Sequence, residues 1–305
     1  MSDFSRTPTH GREPFAEPEG VRLKSDTGAP TLGDVLRRSA EHLEAKGSET
    51  PRLDAERLLA HALGVERIDL YMQLDRPLDS AELATARELV ARRAAREPLQ
   101  YVLGEWGFRR LVLGVDRRAL IPRPETETVV ERCLALLSGS EAPSVLDVGT
   151  GSGAIALAIA DEHPGALVTG IDVSDDALAL AGENAERTGL AIELRRHDLY
   201  SGLPPGPWQL VVSNPPYVDP DERGSLQPEV REWEPAAALF GREAVAAVAR
   251  GAADVLAEGG ALVLEVGDGQ ARETAELLAS LGYTDVRATP DLAGRDRVVE
   301  GRRPG

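Results

Sequence analysis

A chain of 305 residues is long enough for one large domain or two ordinary ones with substantial cores. With 42% hydrophobic and 28% charged residues it reads as a soluble globular protein, and no apolar run nears the roughly 20 residues needed to cross a bilayer. A net charge of −17 argues against tight non-specific binding to nucleic acid, and the single cysteine, Cys133, excludes an internal disulfide or a cysteine-cluster metal site.

Residues 1–30 are rich in Pro, Gly and charge and lack the apolar core of a secretory signal, so they are expected to be a disordered leader. Together with the lone thiol this points to the reducing cytoplasm. From Thr31 the pattern turns helical. A first helix is expected over 31–45, capped by Thr31, with Leu32, Val35, Leu36, Ala40 and Leu43 on one face and with Gly47 and Pro51 ending it. A second is expected over 54–63, closed by Gly64, and a third over 80–96, capped by Ser80. Short amphipathic helices on short loops suggest a small bundle over 31–97. His42 and His61 stand alone on these helices, so no metal site is expected.

Residues 98–121 read as a linker with a hairpin over 108–120, set among Tyr101, Trp106 and several glycines. Ile121-Pro122-Arg123-Pro124-Glu125-Thr126-Glu127 then leads into a helix over 125–137. That helix start could favour an anionic ligand, or it could be an ordinary capped start. Cys133 sits in its apolar stretch and is expected to be a buried structural thiol.

Beyond it, over 122–305, strands and helices alternate as in a doubly wound α/β sheet. Strands are expected at 144–148, 166–172, 192–198, 208–214, 261–266, 285–288 and 297–300, with helices at 153–161, 175–188, 243–257 and 270–281.

The turn from the first strand to its helix, Gly149-Thr150-Gly151-Ser152-Gly153, has three alternate glycines that let the backbone approach a ligand closely. Asp147, two residues before it, would repel a pyrophosphate but suit a cationic amino group. Asp172, at the second strand's end, can accept both hydroxyls of a ribose. Asp198, at the third strand's end, lies where an adenine edge would be, next to Leu199. A ligand with an ammonium, a ribose and no phosphate is S-adenosylmethionine.

Leu210 to Ser213 end a buried strand, and Asn214-Pro215-Pro216-Tyr217 stops it. The prolines fix φ and remove N–H donors, leaving a stiff corner with an amide and a phenol. The Asn214 side-chain oxygen and the Pro215 carbonyl are two acceptors that suit a substrate NH₂ group. No His or Cys accompanies them, so positioning rather than a strong base is expected to carry the reaction.

These motifs closely resemble those of the peptide chain release factor N(5)-glutamine methyltransferases. The likeness extends over residues 31–302 and takes in the bundle, 121–127, 149–153, Asp172, Asn214 to Tyr217, Glu234-Pro235 and the closing 291–297. It implies a Rossmann-like S-adenosylmethionine-dependent methyltransferase sheet behind a helical bundle that docks the release factor. The implied substrate is the glutamine of the Gly-Gly-Gln motif in class-1 release factors, methylated to N(5)-methylglutamine with release of S-adenosylhomocysteine. Asn214, Pro215, Pro216 and Tyr217 are then the catalytic and substrate-binding residues, with Tyr217 packing on the flat amide. Gly149 to Gly153, Asp172, Asp198, Leu199 and Asn214 hold the cofactor. Leu199 departs from relatives that place an aromatic residue near the adenine, and Tyr200 follows it. Glu234 and Pro235 would help to close the site.

Residues 141–250 carry 18 acidic against 7 basic side chains, which suits a basic protein partner and neither a membrane nor direct nucleic-acid contact. The Asn-Pro-Pro-Tyr motif is shared with adenine-N(6) methyltransferases, which remain an alternative, as does a non-catalytic adaptor that keeps the fold. The first would need a basic groove and a target-recognition domain, and neither is visible in the sequence.

Overall fold

The computed structural model describes residues 29–304, so all but the last two residues of the expected leader at 1–30 lie outside it. Four helices come first: α1 (Leu32–Ala45), α2 (Pro51–Leu63), α3 (Arg67–Leu70) and α4 (Ser80–Ala94). Thr31 caps α1 as its sequence suggests, its hydroxyl accepting from the Asp34 N–H. Pro51 begins α2 instead of merely ending what precedes it, since a proline in the first turn gives up only an N–H that has no helical partner. Asp79, not Ser80, caps α4, and Glu82 reaches back to complete a capping box. The four-residue α3 is too short for any periodicity to announce. Leu32, Leu36 and Leu43 of α1 pack on Leu58 and Leu59 of α2 and on Leu89 of α4, giving this region its own core.

After α5 (Leu99–Leu103) come β1 (Glu105–Phe108) and β2 (Leu111–Gly114), an antiparallel hairpin. It lies before most of the expected 108–120 span, because the chain turns at Arg109, whose φ of 50° is unusual for a residue with a side chain. The arginine is held there by its N–H on Glu127 Oε1 at 3.0 Å and by its guanidinium on Glu162. Tertiary ion pairs thus place a turn where no turn residue stands.

The remaining elements alternate: α6 (Thr126–Leu137), β3 (Ser144–Val148), α7 (Ala154–Glu162), β4 (Leu167–Asp172), α8 (Asp175–Thr188), β5 (Glu193–Arg196) and β6 (Trp208–Ser213). Then come the short α9 (Pro228–Trp233) and α10 (Ala236–Leu239), followed by α11 (Glu243–Val255), β7 (Leu256–Glu265), α12 (Ala271–Ser280), β8 (Thr284–Pro290) and β9 (Asp296–Arg302). The seven strands lie in the order β5-β4-β3-β6-β7-β9-β8, parallel from β5 to β7, with β9 antiparallel to both its neighbours.

Successive strand residues face opposite layers, as the period of two requires. Val145, Leu210, Val212 and Val263 pack under α6 and α7, where Cys133 is fully buried as expected. Leu146, Val211, Leu262 and Leu264 pack under α11 and α12. The chain leaves β3 towards β4 on one side and returns as β6 on the other. That reversal opens a crevice at the carboxyl ends of the strands, where open α/β sheets bind ligands.

Candidate active site

The glycine loop closes β3 and opens α7. Gly149, Gly151 and Gly153 take φ values of 73°, 56° and 81°, which side chains rarely adopt, so the alternate glycines are required by the backbone itself. The loop folds back on β4 through the Gly149 and Thr150 N–H groups, both donating to the Ile171 carbonyl at 2.8 and 2.9 Å. A side chain at Gly170 would meet Thr150 Oγ1 at 2.8 Å, so loop and strand are in close contact.

Asp172 ends β4 beside this loop. Its Oδ2 accepts from the Gly151 N–H at 3.0 Å and its Oδ1 from the Ser174 N–H at 2.9 Å, which fixes the carboxylate at the crevice edge. Asp198 lies two residues beyond β5, which is shorter than expected. It caps a turn of 3₁₀ helix over Leu199–Ser201, accepting from the Tyr200 N–H at 2.9 Å. Asp147 takes a different place from the one its spacing suggests. It is fully buried beneath the loop and accepts from Thr150 Oγ1 at 2.7 Å, and burial pushes its carboxyl up to about 7 against that hydrogen bond. It supports the loop from below and does not reach the crevice.

The corner after β6 stands across from the loop. Ser213 Oγ donates to the Val148 carbonyl at 2.6 Å, tying the end of β6 to the end of β3. Asn214 Nδ2 donates to Thr126 Oγ1 at 3.3 Å, while its Oδ1 has no partner among the described residues. The Pro215 carbonyl accepts no backbone hydrogen bond among the described residues. Tyr217 turns away from the crevice. Its hydroxyl lies 3.5 Å from Glu265 Oε1, its carbonyl accepts from Gln270 Nε2 at 3.0 Å, and burial raises its phenol to about 12.

Between loop and corner lies a cavity of about 390 Å³. Gly149, Thr150, Gly151, Ser152, Asp172, Asp198, Leu199, Asn214 and Pro216 all border it. Gly153, Pro215 and Tyr217 are not among its lining residues, and Pro215 directly follows Asn214 at the corner with its carbonyl free of backbone partners among the described residues. The 121–126 segment and residues 235–240 complete the wall, with Tyr200 beside Leu199. Both arginines on this wall are already paired. Arg118 meets Asp116 at 2.8 Å and Glu183 at 2.7 Å, and Arg123 meets the buried Glu234 at 2.5 Å. Such a wall offers acids and apolar surface and, among the described residues, no unpaired arginine or lysine for a phosphate. It suits an uncharged nucleoside joined to a cationic centre, as S-adenosylmethionine is, and the volume is within the range of ligand pockets.

Three features went unread in the sequence. Thr126 belongs to a segment already singled out, yet its contact with Asn214 needs the fold to appear. Glu265 ends the apolar run Ala261-Leu262-Val263-Leu264, and an acid in such a run is a signal that could have been read. Asn184 of α8, 1% exposed, accepts from the Gly114 N–H at 2.7 Å and donates to the Ser152 carbonyl at 2.9 Å, joining the hairpin to the glycine loop.

Known proteins resemble the chain along most of its length. The PrmC N-terminal domain family matches residues 34–104, and the methyltransferase small domain family matches residues 131–227. A release factor glutamine methyltransferase of Geobacter sulfurreducens is 44% identical over 276 residues, covering 89% of this chain and 96% of that protein. One from Cereibacter sphaeroides is 42% identical over 280 residues, covering 89% and 98%. Among solved structures, a release factor-specific protein-(glutamine-N5) methyltransferase from Alicyclobacillus acidocaldarius is 35% identical over 61% of this chain and 95% of its own, with a TM-score of 0.39.

Proposed function

The chain belongs to the release factor glutamine methyltransferases, and from that premise we propose that Asn214 and the Pro215 carbonyl hold the glutamine amide while the glycine loop and Asp172 hold the methyl donor. The enzyme transfers a methyl group from S-adenosylmethionine to the side-chain amide nitrogen of a release factor glutamine, giving N(5)-methylglutamine and S-adenosylhomocysteine, and the proton displaced from the strongly acidic methylated nitrogen passes to water.

S-adenosylmethionine supplies an electrophilic methyl on a sulfonium centre. Asp172 accepts the ribose hydroxyls in this reading, and Asp198, Leu199 and Tyr200 form the adenine side. An amide nitrogen is a poor nucleophile because its lone pair is delocalised into the carbonyl. Asn214 Oδ1 and the Pro215 carbonyl accept its two N–H groups, fix the nitrogen in place and favour its pyramidal form. Positioning of this kind can account for most of the acceleration. Pro216 walls the pocket, and Tyr217 anchors the corner through Glu265 and Gln270 in place of stacking on the substrate. Glu234, paired with Arg123, holds the 235–240 segment over the cavity.

The substrate glutamine is that of the Gly-Gly-Gln motif in class-1 release factors, and residues 31–97 dock the rest of that protein. The acidic surface of 141–250 attracts a basic partner, with no direct contact to nucleic acid, and the reaction takes place in the cytoplasm. Among the described residues no helix is long and apolar enough to cross a membrane.

The observation that carries this reading is Asn214 Oδ1, unpartnered among the described residues, on the same cavity as Asp172 and the glycine loop. Incubation with isotopically labelled S-adenosylmethionine and a purified release factor, followed by mass-spectrometric mapping, tests it. Label on the side-chain nitrogen of the Gly-Gly-Gln glutamine is expected. Label on another residue, or none, overturns the assignment.

A further inference from the structure

Glu265 is a buried acid with no part in the reaction described so far. It is 1% exposed at the end of β7, and among the described residues two side chains come within hydrogen-bond reach of it. Thr126 Oγ1 lies 2.6 Å from its Oε2, and the Tyr217 hydroxyl lies 3.5 Å from its Oε1. Thr126 Oγ1 is also the group that meets Asn214 Nδ2 at 3.3 Å.

A threonine hydroxyl has one proton to give. An ionised Glu265 can only accept, so it takes that proton and leaves Thr126 Oγ1 facing Asn214 with lone pairs alone. Only the NH₂ end of the Asn214 amide can meet a lone pair. The Oδ1 end is therefore turned to the cavity, where a substrate NH₂ needs an acceptor. A protonated Glu265 reverses the order. It donates to Thr126, Thr126 donates to Asn214 Oδ1, and the NH₂ end faces the substrate NH₂ with no acceptor between them.

We propose that Glu265, acting through Thr126, is a positioning residue that sets which end of the Asn214 amide the substrate meets. The proposal rests on the reading of Asn214 as the acceptor for the substrate amide. Glu265 makes no contact with the cavity itself and acts only along this relay.

The groups around Glu265 place its titration where it matters. Burial raises its carboxyl to about 7, the hydrogen bond from Thr126 opposes that rise, and Glu125 at the start of α6 adds to it. Arg297 on β9 and the Tyr217 hydroxyl lower it. As pH rises through this range Glu265 ionises, and the methylation rate rises with it.

Single-turnover methylation of a release factor at saturating S-adenosylmethionine, between pH 6 and 8, tests the relay, with calorimetric cofactor affinity as the check on folding. Thr126→Val replaces the hydroxyl by a methyl of the same shape. It should slow the reaction by about tenfold to a hundredfold, the cost of a misplaced positioning group, with cofactor affinity unchanged. Thr126→Ser keeps the hydroxyl and should restore the rate. Glu265→Gln should lose the rise of rate with pH, and so should Thr126→Val, so the profile can be read even if one variant folds poorly. Thr126→Val at the wild-type rate overturns the proposal, as does Glu265→Gln with the wild-type pH profile. Asn214→Ala separates the two readings. If it reacts at the wild-type rate, the acceptor role of Asn214 falls and the relay with it. If it is slow while Thr126→Val is fast, only the relay falls.

Discussion

Arg93 on α4 and Glu229 on α9 meet at 2.8 Å across 136 residues of sequence, and both side chains are largely withdrawn from solvent. Arg93 also meets Asp54 of α2 at 2.8 Å, and Arg96 meets Glu229 at 2.5 Å. The α9 helix belongs to the same excursion after β6 that supplies Glu234 and residues 235–240 of the cavity wall, so these pairs fasten the helical bundle to the roof of the site. Glu229→Ala removes one acceptor from two arginines while leaving Arg93 its bond to Asp54. A loss of about 1.5–3 kcal/mol in unfolding free energy at pH 7 is expected, the usual worth of charged hydrogen bonds. Burial alone would raise the Glu229 carboxyl, but Arg96 and Arg93 hold it below its ordinary 4.5. The stability it contributes is therefore present above that pH and is lost as pH falls below it. Urea titrations at pH 7 and near pH 4 check both parts, and equal midpoints for variant and wild type at pH 7 would show that the fastening has no energetic weight.

Asp172 carries the prediction for the methyl donor. Its carboxylate receives the Gly151 and Ser174 N–H groups, so it shapes the loop as well as facing the cavity. Asp172→Ala should weaken S-adenosylmethionine binding by about 1.5–3 kcal/mol through lost charge-assisted hydrogen bonds. Asp172→Asn keeps an acceptor for one of those N–H groups and should fall between Ala and wild type. Calorimetry measures this directly, and an unchanged affinity in Asp172→Ala would remove the residue from the site.

The centre of the sheet and most of its helices were legible because β3, β4, β6 and β7 carry short apolar stretches, with Gly or Pro close by in the turns. The 144–148 strand and the 175–188 helix match β3 and α8 residue for residue. Position within the chain was misread where tertiary contacts decide it. Ion pairs, not turn residues, bend the hairpin at Arg109, and β5 stops before Asp198 because the chain there winds into a 3₁₀ turn. The site residues could be named from motifs, yet the direction of their side chains could not. Sequence spacing gives no means of knowing that Asp147 points under the loop, that Tyr217 turns to Glu265, or that Thr126 and Asn214, 88 residues apart, share a hydrogen bond.

Asp147 gives a pH signature that can be isolated. Its carboxyl is raised from 3.8 to about 7 by burial, with Thr150 opposing. In that window the folded protein holds a proton that the unfolded chain has released, so this group's contribution to stability declines as pH rises from 3.8 towards 7. Asp147→Asn retains an oxygen for Thr150 and is neutral at every pH. Whatever its absolute stability, the variant should gain on wild type between pH 5 and 7 in thermal unfolding. Parallel curves across that range would mean that Asp147 does not titrate there.

The last prediction concerns Asn214→Asp, because a carboxylate at this corner inverts the proton arrangement. Asn214→Ala should slow methylation by at least about a hundredfold, the cost of one positioned hydrogen bond in a buried site. Asn214→Asp keeps an acceptor towards the cavity but no longer has an NH₂ to offer Thr126. With Glu265 ionised, the single proton of Thr126 cannot serve two carboxylates, and two negative charges lie on either side of one hydroxyl. Protonation of Glu265 resolves the conflict. Glu265 then donates to Thr126, Thr126 donates to one oxygen of Asp at 214, and the other oxygen is free for the substrate NH₂. The added charge raises Glu265 further, since like charges favour the neutral form. The Asp variant should therefore react at a rate between wild type and Ala, and it should speed up as pH falls from 8 to 6, the reverse of wild type. Single-turnover rates across that range decide it. A variant whose rate falls with falling pH as wild type does would mean that Thr126 and Glu265 do not set the orientation at position 214.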